Sequence, residues 1–267
     1  MGSFVTRRLV EAGFEVHLYD VVERETAARF HLCDAFSADH SSADIIVNML
    51  PGSLGNLMTK SLKDTGQRIV DLSFSETTPD QLNDVSSSIL WDVGIAPGLS
   101  NMLVSKAVRQ FGELDEVSIK VGGNPQQPDS EWSYMAPFSP HDVIAEYTRP
   151  ARVIREGSQV EVAAMSDLHS IDANGRVMDA FLTDGLRSLL TIPANKMGEY
   201  TVRWPGHIQK YQNTELNPEE LVEAWRMDYS RPEFTWMEVS IKSEDSSQTW
   251  IIEDKGKDGD SSMARTT

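Results

Sequence analysis

The sequence predicts an α/β fold in which a doubly wound parallel sheet over about the first hundred residues is followed by an α+β domain. Three observations predict it. Short apolar runs, above all Ile45-Ile46-Val47-Asn48-Met49-Leu50-Pro51, mark strands buried on both faces, and they alternate with helix-like segments through Trp91. Beyond residue 100 the pattern turns to amphipathic strands and longer segments bearing Trp and Tyr. Between the halves, in Asp92-Val93-Gly94-Ile95-Ala96-Pro97-Gly98-Leu99-Ser100-Asn101, a strand end meets two glycines flanking a proline and then an apolar-periodic helix. That pattern fits a domain crossover at the carboxyl end of a sheet, where open α/β folds place their ligands; a plain strand-turn-helix connection fits it as well. The domains expected are 1–98 and 99–267.

Composition narrows the function classes. At 267 residues, 40 % of them apolar, the chain favours two domains with a sizeable core. No run approaches the ~18 apolar residues of a membrane span, and no signal peptide opens the chain, so no membrane partner is expected. The single cysteine, Cys33, excludes an internal disulfide framework and points to a reducing, cytoplasmic setting. A net charge of -17 argues against nucleic acid and mildly favours a cationic substrate, though a solvated acidic surface explains it more plainly. Six scattered histidines lack metal-ligand spacing, and no metal is predicted.

Residues 1–11 read as a helix, with Val5, Leu9 and Ala12 on one face and Gly13 at its C-terminal end. Residues 14–20 alternate as a strand closing on Asp20. A helix entered through glycine and a strand ending on an acid form the second half of a dinucleotide-binding, Rossmann-type βαβ unit, in which the acid takes the adenosine ribose and favours NAD over NADP. The cofactor-binding candidates are therefore Gly2, Ser3, Phe4 and Asp20, then Asn48, Met49, Leu50 and Pro51 at the sheet's carboxyl edge, and Gly94 at the crossover. Helices are expected at 23–30, 54–65 and 80–86, and strands at 45–51, 68–72 and 89–91.

In the second half, Leu99, Met102, Leu103, Ala107 and Phe111 recur at helical spacing up to Gly112, with Asn101 in the first turn. A strand over 117–121 is expected to break at Gly122-Gly123. Ser139 and Pro140 read as N-cap and first helical position of a helix through Phe138-Ser139-Pro140-His141-Asp142-Val143-Ile144-Ala145-Glu146-Tyr147-Thr148-Arg149-Pro150-Ala151-Arg152. Strands are expected at 160–165, 200–204, 234–241 and 250–253, an amphipathic helix at 219–229 and a charged turn at 254–260.

The run from Val121 to Arg152, with Asp92 to Asn101 before it, resembles the saccharopine dehydrogenase-like family. It is most similar to the lysine 6-dehydrogenase branch, whose members carry a closely similar Phe-Ser-Pro-x-Asp-Val-Ile-x-Glu-Tyr-Thr-Arg-Pro-Ala-Arg. Three later stretches resemble the same family: 180–187, 201–207 and 261–267. The family has a first strand and two more glycines before the position of Gly2 and a final helix after Thr267, so the resemblance implies a truncated Rossmann-type member clipped at both ends. Asn124 stands where an apolar residue is expected.

The resemblance implies hydride transfer to NAD from a carbon bearing an amine, with the second domain supplying the substrate pocket and much of a homo-oligomer interface, dimer or tetramer. Such a site needs a proton acceptor and donors for a carboxylate. Within the family motifs, Asp92, Asp184, Tyr147 and His207 are the catalytic candidates. Asn101, Arg149, Thr183, Arg187 and Arg203 are the substrate-binding candidates, the arginines because a guanidinium clamps a carboxylate bidentately. The expected activity is oxidation of the side-chain amine of L-lysine or a related amino acid. The alternatives are saccharopine reductase or carboxynorspermidine chemistry, or a non-catalytic fragment.

Overall fold

The computed structural model describes residues 1–215 and 217–267. The chain divides into two compact units, Met1–Val93 and Gly94–Thr267. Among the described residues no helix is long and apolar enough to cross a membrane.

The first unit is α/β with parallel pairing throughout. Helix α1 (Gly2–Glu11) precedes β1 (His17–Asp20) and β2 (Arg29–Leu32), which form a two-stranded parallel sheet. Strands β3 (Ile45–Asn48), β4 (Arg68–Asp71) and β5 (Ser88–Trp91) form a second parallel sheet, with α2 (Gly52–Leu62) between β3 and β4. Met58 and Leu62 of α2 pack on Ile69, flanked by Ile46 and Ile89 of the neighbouring strands. A buried polar network pins the helix to the strand ends. Asn48 Nδ2 donates to the Gly55 carbonyl (2.8 Å) and to Thr59 Oγ1 (2.9 Å), and Thr59 Oγ1 donates to Asp71 (2.7 Å).

Two expected helices are absent. Residues 23–30 lead irregularly into β2, because Asp20 accepts from the Val22 N–H (2.9 Å) and Arg24 Nε (2.9 Å). That local turn offers the backbone an alternative to helix. Residues 80–86 hold only a 3₁₀ turn at Pro79–Gln81. The Ser86 and Ser87 amides both donate to the Lys63 carbonyl (2.9 Å each), and Asp84 has φ 54°, which an α-helix does not allow.

The second unit begins with α3 (Leu99–Phe111), ended as expected by Gly112 at φ 81°. An eight-stranded mixed sheet follows, in the order β13-β12-β6-β11-β10-β9, with β7 paired to β11 and β8. Its strands are β6 (Leu114–Pro125), β7 (Ala151–Arg155), β8 (Ser158–Val162), β9 (His169–Asp172), β10 (Val177–Thr183), β11 (Ala194–Arg203), β12 (Glu233–Ser243) and β13 (Ser246–Lys255). Only β6 and β11 run parallel. Helices α4 (Pro140–Thr148), α5 (His207–Gln212), α6 (Pro218–Ala224) and α7 (Ser262–Thr266) complete the unit. The α6 helix is shorter than the 219–229 expected, with buried Trp225 as its C-cap.

Strand β10 shows why this sheet reads as apolar on both faces. Ala180 and Leu182 enter a cluster with Trp204, Phe234 and Trp236, whereas Phe181 enters another with Val143, Tyr147, Ile208 and Trp225. The break expected at Gly122-Gly123 does not occur, and β6 runs through both. A Cβ at Gly122 would collide with the Val202 carbonyl of β11, so glycine there permits close strand approach. The same carbonyl explains Asn124. It lies beyond the last β6–β11 pair, Thr201 with Val121, and accepts from Asn124 Nδ2 at 3.1 Å. An apolar side chain could not serve it.

Thr59→Val removes the hydroxyl that joins Asn48 to Asp71 while keeping the shape. Urea unfolding should show a loss of about 1–3 kcal/mol, and an unchanged midpoint would contradict the role given to this network.

Candidate functional site

The site is built around α4. Ser139 accepts from the Asp142 N–H, and Pro140 starts the helix where a missing N–H costs nothing. One face of the helix turns Val143, Glu146 and Tyr147 inward. Arg149, placed before Pro150, leaves the helix in an extended conformation, as the proline ring requires. Strand β7 then brings Arg152 back toward the end of β10.

Behind α4 lies a chain of buried hydrogen bonds. Arg203, only 3 % exposed, donates from Nε to Tyr147 OH at 2.8 Å and from Nη1 to the Val202 carbonyl at 2.9 Å. Its guanidinium lies 4.3 Å from the centre of the Tyr134 ring, within cation–π range. Tyr147 OH and His207 Nε2 are 3.2 Å apart, and His207 Nδ1 is 3.0 Å from the Trp132 carbonyl. A carbonyl only accepts, so Nδ1 carries the proton and Nε2 accepts from the phenol. Trp225 packs edge-on against Trp132 and Tyr134, ring centres 5.5 Å apart in both cases.

Burial fixes the protonation of this chain. It holds His207 down to about 3, helped by the Arg203 charge, and pushes Tyr134 up to about 12. Tyr147 is raised still further by the same cause. Burial opposes the Arg203 charge, but the neighbouring Tyr134, Tyr147 and Glu146 outweigh it and the guanidinium is raised. At neutral pH the chain is therefore Arg⁺, phenol and neutral imidazole.

A second buried group sits beside it. Asp184 accepts from Arg152 Nε (2.7 Å), Nη2 (2.8 Å) and N–H (3.1 Å), and pairs with Arg149 Nε at 3.2 Å. Glu146 is pushed up to about 7 by burial, against the pull of Arg203 and Arg149. Thr183 is buried and shares a 2.8 Å hydrogen bond with Thr201. Arg187 is buried after β10 with φ 46°.

The remaining candidates belong to other elements. Asn101 ties the start of α3 to the 3₁₀ segment Arg187–Thr191, accepting from the Gly98 N–H (3.0 Å) and donating to Ser188 (2.7 Å). Gly94 and Gly98 close a turn in which the Gly94 N–H donates to the Pro97 carbonyl at 2.9 Å. Gly98 has φ 142°, and a Cβ there would collide with Gly94. Asp92, directly after β5, has φ 54°. In the first unit, Gly2, Ser3 and Phe4 open α1, whose first turn has neither an acidic residue nor a side-chain cap. Asp20 ends β1, and its carboxyl is held below the ordinary range despite partial burial by the Val22 amide and Arg24. Asn48 is committed to the α2 network; Met49 and Leu50 are half-buried, and Pro51 is the N-cap of α2. Among the described residues, no group of three or more His, Cys, Asp or Glu could hold a metal ion.

The structure thus gathers Tyr147, Arg203 and His207, and separately Asp184 with Arg149. Sequence reasoning missed Arg152, Tyr134 and Glu146. Arg152 and Glu146 were findable, because both lie inside the Glu146-to-Arg152 motif run; nothing local marks Tyr134.

His207 gives a pH prediction. Its folded value lies near 3, below the 6.5 of an unperturbed histidine, so the unfolded chain binds more protons between those values. The stability it contributes is full above about pH 6.5 and falls as pH drops toward 3. Urea melts from pH 7 to pH 4 should show a shallower loss for His207→Gln than for the wild type. Equal slopes would contradict the neutral buried imidazole.

Residues 94–217 match the family model for the saccharopine dehydrogenase C-terminal domain. Mitochondrial alpha-aminoadipic semialdehyde synthase of Mus musculus is 23 % identical over 141 residues, 49 % of this chain but only 15 % of that protein's length. Among solved structures, apo saccharopine dehydrogenase (L-Glu forming) from Saccharomyces cerevisiae is similar with TM-score 0.61 and 14 % identity, covering 85 % of this chain and 74 % of that one. Homospermidine synthase from Legionella pneumophila, in complex with NAD, gives TM-score 0.55 and 10 % identity, covering 92 % and 74 %. At these identities the structural likeness is one of fold. The second unit carries the match to the saccharopine dehydrogenase C-terminal domain, and the chain has the mixed α/β fold of a saccharopine dehydrogenase.

Proposed function

We propose that this chain is an NAD-dependent oxidoreductase that acts on the side-chain amine of L-lysine or a related amino acid and yields a semialdehyde. The observation that carries the reading is the Phe138-to-Arg152 run, whose capped helix delivers Tyr147 to the buried Arg203 and is followed by Arg149 and Arg152, which pair with the buried Asp184. The match of residues 94–217 to the saccharopine dehydrogenase C-terminal domain supports it. We further propose a homo-oligomer working in the cytoplasm.

The first unit fits a dinucleotide. The amides at the start of α1 are uncapped and face no acid in the first turn, which suits a pyrophosphate. Gly2 has open space where a side chain would stand. Asp20 at the end of a parallel strand suits ribose hydroxyls and favours NAD over NADP. When bound, the nicotinamide supplies the acceptor for hydride. The chain's own residues then have to hold the amino acid and take one proton from its amine. Arg149 and Arg152 present guanidinium groups that are mostly buried yet reachable, at 13 % and 15 % side-chain exposure. The Arg203–Tyr147–His207 chain keeps α4 at a fixed depth and neither gains nor loses a proton near neutral pH.

A second reading is a reductase that joins an amine to a carbonyl partner. The likeness to homospermidine synthase and to the L-Glu-forming saccharopine dehydrogenase favours it. Paired assays separate the two. Production of NADH with L-lysine alone is the expected result. Activity only as NADH or NADPH consumption with a 2-oxo acid and an amine or amino-aldehyde partner would overturn the lysine reading in favour of the reductase.

A further inference from the structure

Strand β13 leaves an edge that the fold does not use. It lies at one end of the eight-stranded sheet, with β12 as its neighbour among the described residues. The two strands keep one register throughout, from Ser243 with Ser246 to Phe234 with Lys255. Just beyond, the Gly256 N–H donates to the Glu233 carbonyl at 3.1 Å. Antiparallel hydrogen bonding alternates along a strand, so every second residue from Ser246 to Asp254 turns its backbone groups toward β12. Ser247, Thr249, Ile251, Glu253 and Lys255 turn theirs outward. All of these but Glu253 are exposed, Ile251 by 52 %.

Native sheets blunt an open edge with short strands, charges, prolines or bulges. The far end of this sheet does so, because β9 has four residues and carries His169 and Asp172. Strand β13 does not. Residues 246–252, Ser-Ser-Gln-Thr-Trp-Ile-Ile, contain no charge, proline or glycine, and no bulge interrupts their pairing with β12. The two acids that follow are neutralised within the chain, Glu253 by Arg176 (2.9 Å) and Asp254 by Arg265 (2.8 Å).

An antiparallel edge is complementary to itself under a two-fold axis, because each outward N–H meets an outward carbonyl of the other copy. We propose that β13 pairs with β13 of a second copy of this chain, the axis passing through Ile251. The inference rests on the homo-oligomer reading above and names the surface that reading left open. The Ile251 register pairs every outward residue of β13. It sets Ile251 against itself, Thr249 against Glu253 and Ser247 against Lys255, with Trp250 across from Ile252. No like charges stand opposite each other, and Lys255 lies diagonal to Asp245 in the hairpin turn of the other copy, within reach of a long side chain. Moving the axis to Thr249 would set Glu253 against Asp245, and moving it to Glu253 would set that acid against itself.

Analytical ultracentrifugation of the full chain over a dilution series tests this, together with amide hydrogen exchange read residue by residue by NMR. The wild type should form a dimer, and the Thr249, Ile251 and Glu253 amides should exchange more slowly as concentration rises. Ile251→Lys sets two like charges at the axis and should weaken the dimer about tenfold or more. Thr249→Pro removes an outward N–H while sparing the β12 ladder, and should weaken it too. If a variant fails to fold, the wild-type exchange pattern decides. A dimer that leaves those amides unprotected, or that both folded variants retain at wild-type strength, would overturn the β13 assignment and leave the homo-oligomer reading standing. Protection that is independent of concentration would give the edge to a segment of the same chain and overturn the assignment as well. A wild type that stays monomeric throughout would overturn both.

Discussion

The second unit depends on burying the Arg203 guanidinium. An arginine this deep persists only when its donors are met and its charge is compensated. Tyr147 OH, the Val202 carbonyl and the Tyr134 ring meet those needs, and each belongs to a different part of the chain. The constraint therefore fixes α4 against β11 and draws in the 132–134 segment, through the bond between His207 and the Trp132 carbonyl. Removing water from this region also explains the protonation states. The imidazole stays neutral and the phenols stay protonated because burial penalises their charged forms, for the phenols by more than Arg203 favours them.

From that anchor the chemistry divides naturally. Groups paired with one another, such as Asp184 with Arg149 and Arg152, provide rigidity and local positive charge. In the first unit, the same economy appears at the strand ends, where Asn48, Thr59 and Asp71 satisfy each other and Asp20 is met by the Val22 N–H and Arg24.

Much of this was legible in the sequence wherever the signal was local. Ser139 with Pro140, Gly112, and the continuous apolar run at Ile45 each act through neighbours within a turn or a strand, so the corresponding elements stand close to where the residues put them. The failures share one cause. Gly122 and Asn124 look like a strand break and an anomaly until the Val202 carbonyl, distant in sequence, is placed beside them. The helices expected at 23–30 and 80–86 lose to hydrogen bonds made by Asp20 and by the Lys63 carbonyl. For the candidate site, the 138–152 run pointed to Tyr147 and Arg149, and the 201–207 stretch to Arg203 and His207, as polar residues of interest. Which of them share a hydrogen bond depends on three-dimensional partners that no spacing rule encodes.

The central claim is that hydride leaves the carbon bearing the side-chain amine of a lysine-like substrate. Incubating the chain with NAD and L-lysine deuterated at that carbon, then weighing the reduced nucleotide by mass spectrometry, tests it most directly. The account predicts one deuterium in the reduced nicotinamide for each semialdehyde formed. Semialdehyde appearing with unlabelled reduced nucleotide, or deuterium retained in full on the product carbon, would contradict it.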